Sequence, residues 1–250
     1  MHLPRMLVAV CAVLGAIAPA VAADLTLHTY HSTPPFVTGD GKGLTYELAD
    51  YMTRKSNGAL TVKVSVLPRG RVDRAVQAAD FSGAVPWVFP AWFKDKDRTR
   101  YLWSEALFAD KNIIVSSPAK RIDYTGPDSL AGTRFAGVLG HSYAGIDDLV
   151  KSGQIRRQDA RNEESNLKKV AAGRADATLL PGSAADFLVP QLGIADRIHV
   201  SANPQSQYTR HLLLGQGSAE LLRQVDAIVV EMKSDPAWQE ILKKYRIESD

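Results

Sequence analysis

The sequence predicts an α/β protein in which sheets containing parallel strands are covered by helices. The order strand, helix, strand, helix occurs at the start of the chain and again in its second half, and two amphipathic helices follow. Ligands in such folds gather at the carboxyl ends of strands. Residues that directly follow predicted strands are therefore the first candidates for a binding site.

The first unit begins where Leu25 and Leu27 alternate with polar residues, which predicts a strand that continues into Tyr30. It ends at the turn-forming cluster Ser32-Thr33-Pro34-Pro35. The unit's other predicted elements are a helix with Leu44, Leu48, Tyr51 and Met52 at helical spacing, a strand with Val62, Val64 and Val66, the break Leu67-Pro68, and a helix from Arg71 to Ala79.

The second unit repeats this order. Its predicted elements are a strand from Ala106 to Val115, the break Ser116-Ser117-Pro118, a strand from Phe135 to Val138, the turn Gly140-His141-Ser142-Tyr143, a helix opened by Ile146, Leu149 and Val150, a helix with Leu167, Val170 and Ala171, and a strand from Ala175 to Leu180. Gly173 suits a left-handed helix cap. The chain then runs from Ile198 to Val200 and through Ser201-Ala202-Asn203-Pro204 to two amphipathic terminal helices. The apolar positions of the first are Leu221, Leu222, Val225, Ile228, Val229 and Met232. The second starts at Pro236 and has Trp238, Ile241, Leu242 and Tyr245 on its apolar face.

Residues 1–23 have the features of a cleaved secretory signal. Arg5 precedes an apolar run from Leu7 to Ile17, and Ala20-Val21-Ala22 offers small residues to a signal peptidase. The alanine content and Pro19 favour a signal peptide over a membrane anchor. Val10 precedes Cys11, which disfavours a lipid anchor there. We expect cleavage at the end of this segment, near residues 22 and 23, and export of the mature chain.

Composition excludes several classes of function. Cys11 is the only cysteine and lies within the predicted signal, so the mature chain of about 227 residues has no disulfide, thiol nucleophile or thiolate metal ligand. The net charge of +3 falls to +2 without Arg5, which is too mild to indicate nucleic acid as a partner. A diffusible small molecule is the better expectation.

Five local patterns point to a known family. They are the opening strand with Tyr30 and Pro34-Pro35-Phe36, Gly43-Leu44 before the first helix, Leu67-Pro68 followed by Arg71, the segment Arg98-Thr99-Arg100-Tyr101-Leu102-Trp103-Ser104, and Leu167 through Gly173-Arg174-Ala175-Asp176-Ala177. Their joint order resembles the periplasmic solute-binding proteins of polar amino acid ABC transporters, extracellular solute-binding protein family 3. The resemblance covers essentially the whole mature chain.

This resemblance implies a two-lobed type II periplasmic binding protein fold, with the ligand held between the lobes. Lobe 1 would comprise residues 24–115 and 205–250, and lobe 2 residues 116–204. The hinge strands would lie near Ile113 to Ser116 and Val200 to Gln205, and closure would be a hinge motion of whole lobes. A membrane permease, or alternatively a sensor, would be the protein partner, and we expect a monomer that needs no cofactor.

The resemblance also implies a role for Arg98, because the family's matching arginine pairs with the ligand's carboxylate, for which a guanidinium offers two parallel donors. The alternative is that Arg98 belongs to a solvated charged loop, Lys94-Asp95-Lys96-Asp97-Arg98. The spacing is one residue shorter than in the family, so Arg100 competes, and Arg71 is a further alternative.

Other candidates follow from position. His141, Ser142 and Tyr143 form a strand-to-helix turn, whose free N–H groups favour an anion, with Ser142 as the predicted N-cap. Aromatic side chains beside strand ends can enclose a ligand or pack in the core; they are Tyr30, Phe36 and Trp87.

Pro181 stands where the family often places an aspartate for the ligand's amino group. It offers no charge to balance an ammonium, which weakens the assignment of an α-amino acid; Ser183 or Asp186 could compensate. The segment from Pro86 to Phe93 is also bulkier and less polar than its family counterpart. A different organic anion is therefore an open alternative.

No catalytic motif is present. His28 and His31 lack the neighbours that a metal pair needs, and Glu163-Glu164 fits the charged first turn of a helix as well as a general acid. The favoured hypothesis is a carrier of a small carboxylate-bearing solute. The alternative is an enzyme on the same scaffold, such as a periplasmic dehydratase of cyclic acids, and a histidine or carboxylate with a perturbed pKa in the cleft would favour it.

Overall fold

Residues 22–247 of the chain are described by a computed structural model. Residues 1–21, which hold nearly all of the predicted signal peptide, lie outside the described part. The strands of the described part are β1 (Ala23–Thr29), β2 (Leu60–Val66), β3 (Ala84–Val88), β4 (Leu102–Trp103), β5 (Phe108–Ser116), β6 (Arg134–Val138), β7 (Arg156–Ala160), β8 (Ala177–Pro181), β9 (His199–Val200) and β10 (Ser206–Leu214).

Seven α-helices and four short 3₁₀-helices are described. The α-helices carry the labels used below. They are α1 (Leu44–Lys55), α2 (Arg69–Gln77), α3 (Ile146–Lys151), α4 (Glu163–Ala171), α5 (Gly182–Leu192), α6 (Ala219–Met232) and α7 (Pro236–Lys244). Within the described range, none of them combines the length and hydropathy needed to cross a bilayer.

The strands form two groups of parallel strands joined by two long antiparallel ones. β1 pairs in parallel with β2 and β3, and β6 pairs in parallel with β7 and β8. β10 is antiparallel to β3 and β5, and β5 is antiparallel to β8, which gives the order β2-β1-β3-β10-β5-β8-β6-β7. We call the half built on β1–β3 lobe 1 and the half built on β6–β8 lobe 2; β5 and β10 run through both.

Each lobe buries apolar side chains where the sequence pattern places them. Leu25 and Leu27 of β1 and Leu48 of α1 are fully buried in lobe 1. Phe135 of β6 and Ile146 of α3 are fully buried in lobe 2. The alternation of strand residues and the helical spacing of α1 therefore fix which faces point inward.

The predicted strand–helix alternation is confirmed, with three differences. The second helix spans Arg69–Gln77 rather than Arg71 to Ala79, because its first turn follows directly on Pro68. Ser142 is not an N-cap: Gly145, with φ of 77°, precedes α3. Strands β3, β4, β7 and β10 and helix α5 are additional elements that the sequence patterns did not predict.

Candidate functional site

Lobe 1 brings the carboxyl ends of three parallel strands to one edge. Tyr30 and His31 follow β1, and Arg69 opens α2 just after β2. Trp92 lies in a short 3₁₀-helix after β3, Pro90–Phe93. The guanidinium carbon of Arg69 lies 4.5 Å from the Tyr30 ring centroid, and the rings of Tyr30 and His31 are 4.3 Å apart. This edge therefore presents stacked rings beside a cation.

Lobe 2 presents its own carboxyl ends to the same space. His141 follows β6, Glu163 opens α4 after β7, and Ser183 lies in the first turn of α5 after β8. The Thr33 hydroxyl donates a hydrogen bond of 3.1 Å to Glu163 Oε2. Since Thr33 follows β1, this bond joins the two strand-end edges directly. We call the space between these edges the cleft.

Arg210 of β10 lies at the floor of the cleft and is fully buried. Its Nε donates to Asp110 Oδ2 on β5 at 2.8 Å, and its Nη1 donates to the Trp87 carbonyl at 2.6 Å. Nη2 lies 2.8 Å from Asp110 Oδ2 and donates to Tyr208 Oη at 3.2 Å. This network ties β10 to β3 and β5.

Aromatic rings surround that guanidinium. Its central carbon lies 4.6 Å from the ring centroid of Phe36, 5.3 Å from Tyr208 and 5.7 Å from Trp92. A guanidinium is more weakly hydrated than an ammonium and stacks on aromatic faces, which makes it the cation best suited to this apolar place.

Asp110 also reaches the end of β8. Its Oδ2 accepts from the Ser183 hydroxyl at 2.7 Å, and its Oδ1 accepts from the Ser183 N–H at 3.2 Å. A carboxylate therefore does lie beside Pro181, on β5 rather than on β8. Because Arg210 pairs with this carboxylate, it offers no free negative charge to an ammonium.

Trp87 holds an unusual backbone conformation at the end of β3. Its φ is 67°, a left-handed value that is rare for a bulky residue, and its side chain is fully buried. The indole Nε1 donates to the Thr45 hydroxyl at 2.9 Å. The Trp87 carbonyl accepts from Arg210 Nη1, and the Trp87 backbone opposes the lowering of the His31 pKa. Strained conformations of this kind cluster at functional sites.

Two polar atoms of the cleft are buried without a hydrogen-bond partner among the described residues: Tyr30 Oη and His31 Nε2. Burial, with the nearby guanidinium groups of Arg210 and Arg69, holds the pKa of His31 well below its usual value. Burial raises the pKa of Tyr30 to about 12. Both side chains are therefore neutral at physiological pH.

The lobe 2 turn is fixed by Arg157 of β7. Its Nη2 donates to the carbonyls of His141 at 2.8 Å and Val138 at 3.1 Å. Partial desolvation of its ring in the cleft is the main cause that lowers the pKa of His141, although the residue as a whole is exposed; Glu163 opposes this shift, and Arg69 and Arg157 add to it. Arg69 of lobe 1 is thus electrostatically coupled to a lobe 2 histidine across the cleft.

Some of the binding residues predicted from the sequence lie at the cleft, and others are buried in a lobe. Tyr30 reaches the cleft, and His141 lies on the facing edge with Ser142, which is exposed. Phe36 is buried and presents its ring to Arg210 and His31. Tyr143 is buried in lobe 2, where its Oη accepts from the Val138 N–H at 2.8 Å.

Two other predicted residues contribute through their backbone. Trp87 acts through its carbonyl, because its ring lies in the lobe 1 core. Pro181 is the last residue of β8 and pairs with Asn112 of β5.

Arg98 is not brought together with these residues. It is exposed, and its Nη2 lies 3.2 Å from Nε2 of His211. His211 follows Arg210 on β10, and neighbouring strand residues point to opposite faces. Arg98 therefore lies against the face of β10 opposite to Arg210. Arg71 and Arg100, the alternatives, are both exposed.

The sequence patterns do not indicate Arg210, Tyr208, Asp110 and Trp92 as a group. Tyr208 and Arg210 alternate along β10 and Asp110 is paired opposite Tyr208 in β5, so strand register brings them together. A cavity of about 620 Å³ opens beside them and is lined by Phe89, Asp110, Ser183, Asp186 and Tyr208, among others.

A metal site is not formed by the described residues: no group of three or more His, Cys, Asp or Glu side chains there could hold an ion. His28 and His31 turn to different neighbours. The His28 ring lies 5.9 Å from Phe81, whereas His31 faces Tyr30 and Phe36.

No model of a protein family matches the chain, and no curated protein matches it. Solved structures do. An ancestral arginine-binding protein bound to arginine has a TM-score of 0.70 at 19% identity, covering 90% of this chain and 99% of that chain. A mutant of ArgBP from T. maritima has a TM-score of 0.68 at 16% identity, covering 89% and 95%.

A third similar structure is an ancestral amino acid-binding protein described as a precursor of cyclohexadienyl dehydratase. Its TM-score is 0.65 at 18% identity, covering 89% of this chain and 95% of that chain. The chain therefore has the two-lobed α/β fold of periplasmic amino-acid-binding proteins, as the sequence predicts.

Proposed function

We propose that the protein is a periplasmic solute-binding protein that captures a small carboxylate-bearing solute, an amino acid or a related organic anion, between its lobes. It would deliver this solute unchanged to the permease of an ABC transporter, or alternatively to a sensor. The observation that carries the proposal is the convergence of both strand-end edges on one cleft, where Tyr30 Oη and His31 Nε2 are buried without partners. Buried polar atoms normally have a partner, which a bound solute would supply.

Arg69 is the proposed carboxylate contact. Its Nε and Nη2 are engaged by Asp73 at 2.7 Å and the Trp92 carbonyl at 3.1 Å. Those bonds fix the plane of the guanidinium over Tyr30 at the cleft edge. Arg69 thereby takes the role that the family resemblance assigns to Arg98.

The lobe boundaries remain part of the proposal, with residues 24–115 and 205–250 in lobe 1 and residues 116–204 in lobe 2. The described ladder between β5 and β10, from Phe108 paired with Arg210 to Asn112 paired with Ser206, would connect them. Export by the predicted signal peptide and a monomeric state belong to the same proposal.

Thermal unfolding of the mature chain against amino acids, polyamines, dicarboxylates, aromatic acids and sugars tests this function. A ligand at ~100 times its dissociation constant adds ~2.7 kcal/mol, which raises the midpoint by roughly 5 to 10 °C. A rise with one carboxylate supports the proposal. No rise across the panel contradicts it.

An enzyme on the same scaffold is a second candidate, favoured by the state of His31. His31 is a neutral imidazole whose buried Nε2 has no partner among the described residues, and a proton acceptor needs such a free ring nitrogen. In a dehydration, His31 would take a C–H proton while Glu163, as the acid, gives a proton to the departing hydroxyl, so that water leaves. Incubation with cyclic hydroxy acids, followed by NMR, would show loss of water that the His31→Phe variant lacks; unchanged substrates would exclude this candidate.

A further inference from the structure

The cavity of about 620 Å³ extends between the two lobes. Its wall includes Phe89, which follows β3 of lobe 1, Tyr208 of β10, and Ser183 in the first turn of α5 in lobe 2. The Tyr208 ring lies 4.9 Å from the ring of Trp92, whose carbonyl accepts from Arg69 Nη2 at 3.1 Å. Trp92 thus separates the cavity from the proposed carboxylate contact, so the cavity can receive the opposite end of the same solute.

The two carboxylates that line this cavity are already engaged. Asp110 Oδ2 accepts from Arg210 Nε at 2.8 Å and from the Ser183 hydroxyl at 2.7 Å, and its Oδ1 accepts from the Ser183 N–H at 3.2 Å. Asp186, on the exposed side of α5, is not free either. A cationic group of a solute would therefore find no free carboxylate in the lining of the cavity.

Lys111 differs from these carboxylates, because its Nζ has no hydrogen-bond or ion-pair partner among residues 22–247. The side chain is exposed and lines the cavity. It passes close to Gly182, the first residue of α5: a Cβ at that position would lie 3.1 Å from Lys111 Cγ and 3.3 Å from Lys111 Cε. The glycine therefore leaves room for the lysine chain against the start of α5, and an ammonium that can still bind an anion lies beside the cavity.

We infer that the cavity receives the far end of the solute and selects an anionic end over a cationic one, with Lys111 as the residue that determines this specificity. The inference rests on the function proposed above. An acidic group at the far end pairs with Lys111, whereas an ammonium there is repelled by it. The rings of Phe89 and Tyr208 favour an apolar chain between the two ends. The solute class is therefore an organic acid with a second acidic group.

Calorimetric titration with three probes of one shape tests the selection. Adipate, hexanoate and 5-aminopentanoate share a carboxylate and a chain of methylene groups, and their far ends are a carboxylate, a methyl group and an ammonium group respectively. We expect adipate to bind most tightly and 5-aminopentanoate most weakly. An exposed ion pair changes a dissociation constant by roughly 1.4- to 5-fold, so Lys111→Gln should reduce the lead of adipate over hexanoate by that factor.

A charge reversal and a matched control sharpen the test. Lys111→Glu should make 5-aminopentanoate the tightest of the three probes, because the new carboxylate attracts the ammonium end. Lys151→Gln, which removes an exposed lysine at the end of α3, should keep the order of the unmodified chain. Thermal unfolding of each variant shows that it is folded.

The outcomes separate this inference from the proposed function. An order led by 5-aminopentanoate in the unmodified chain overturns the inference, as does an order that neither variant of Lys111 changes. In both cases the binding itself still supports a carrier of carboxylates. If none of the three probes binds, the inference is also overturned, but the proposed function is contradicted only when the broader thermal panel shows no rise either.

Discussion

The two edges of the cleft are built differently. The lobe 1 edge is packed: the rings of Tyr30, His31 and Phe36 contact one another in that order. On the lobe 2 edge, His141 and Ser142 are exposed on a turn held mainly by Arg157. Under the proposed function, this difference means that lobe 1 would be preorganised to recognise the solute, whereas lobe 2 would contribute closure through contacts such as Thr33–Glu163.

Removing the charge of Arg210 at the floor of the cleft should have the largest effect on the stability of the fold. Arg210→Met leaves the buried Asp110 carboxylate without its cation, and we expect the free energy of unfolding to fall by about 3 to 5 kcal/mol. Urea unfolding measures this. The matched control Arg98→Met removes an exposed arginine and should change stability by less than about 0.5 kcal/mol. Equal losses in the two variants would show that the floor network does not stabilise the fold.

The second prediction compares two arginines, Arg69 at the edge of the cleft and Arg98 against the opposite face of β10. Arg69→Gln removes a charge-assisted contact worth about 1.5 to 3 kcal/mol, so the dissociation constant of the bound carboxylate should rise roughly 10- to 150-fold. Arg98→Gln should leave affinity unchanged, because Arg98 lies away from the cleft. Titration of both variants with the carboxylate shows which arginine binds it. Weaker binding in Arg98→Gln and unchanged binding in Arg69→Gln would restore the role that the family resemblance implies for Arg98.

Acidification should destabilise the fold through the histidines of both edges. Burial lowers the pKa of His31, and partial desolvation lowers that of the more exposed His141, so below the usual value of 6.5 the folded chain binds fewer protons than the unfolded chain. This stability is complete above pH 6.5 and is lost as the pH falls towards the folded-state pKa values, by at most ~1.4 kcal/mol per pH unit for each group.

Unfolding measured on both sides of pH 6.5 checks this sign. His31→Phe should flatten the pH dependence more than His141→Phe, because the lobe 1 ring is packed more deeply. A larger effect of His141→Phe would reverse the comparison between the edges.

The smallest effect is expected from the contact between the edges. Thr33→Val removes the donor to Glu163, a bond worth about 0.5 to 1.5 kcal/mol, and should weaken solute binding by roughly 2- to 12-fold. Thr38→Val, on the following exposed loop, is the control and should bind as the unmodified chain does. If Thr33→Val, Thr38→Val and the unmodified chain bind the solute with identical affinity, the bond between Thr33 and Glu163 does not contribute to closure.

Much of the fold follows from local patterns. Alternation in β1 and β2 and the spacing in α1 predict those elements, and Gly173 has the positive φ of 66° that its predicted cap position requires. Strand β7 was missed because its residues Arg-Arg-Gln-Asp-Ala carry no apolar alternation. Helix α5 was missed because Pro-Gly opens it and Pro190 lies inside it, and both features normally indicate a break.

The site was less predictable, because pairing between distant segments creates it. Tyr30 is placed by its position after a strand, which the sequence shows. Arg210 is placed by the register of β10 against β5 and by ion pairing with Asp110, one hundred positions away. An arginine in a strand is ordinarily expected at the surface, and only the long-range pairing explains its burial.

The central claim is that the two lobes close on a solute. Spin labels at Val66→Cys on β2 and Leu139→Cys after β6, both exposed positions on opposite lobes, would report the distance across the cleft in the predicted cysteine-free mature chain. Pulsed electron paramagnetic resonance would compare the free protein with the protein saturated by the carboxylate that raises its melting temperature most. The account predicts a shorter and narrower distance distribution with the solute. An unchanged distribution at saturation would contradict it.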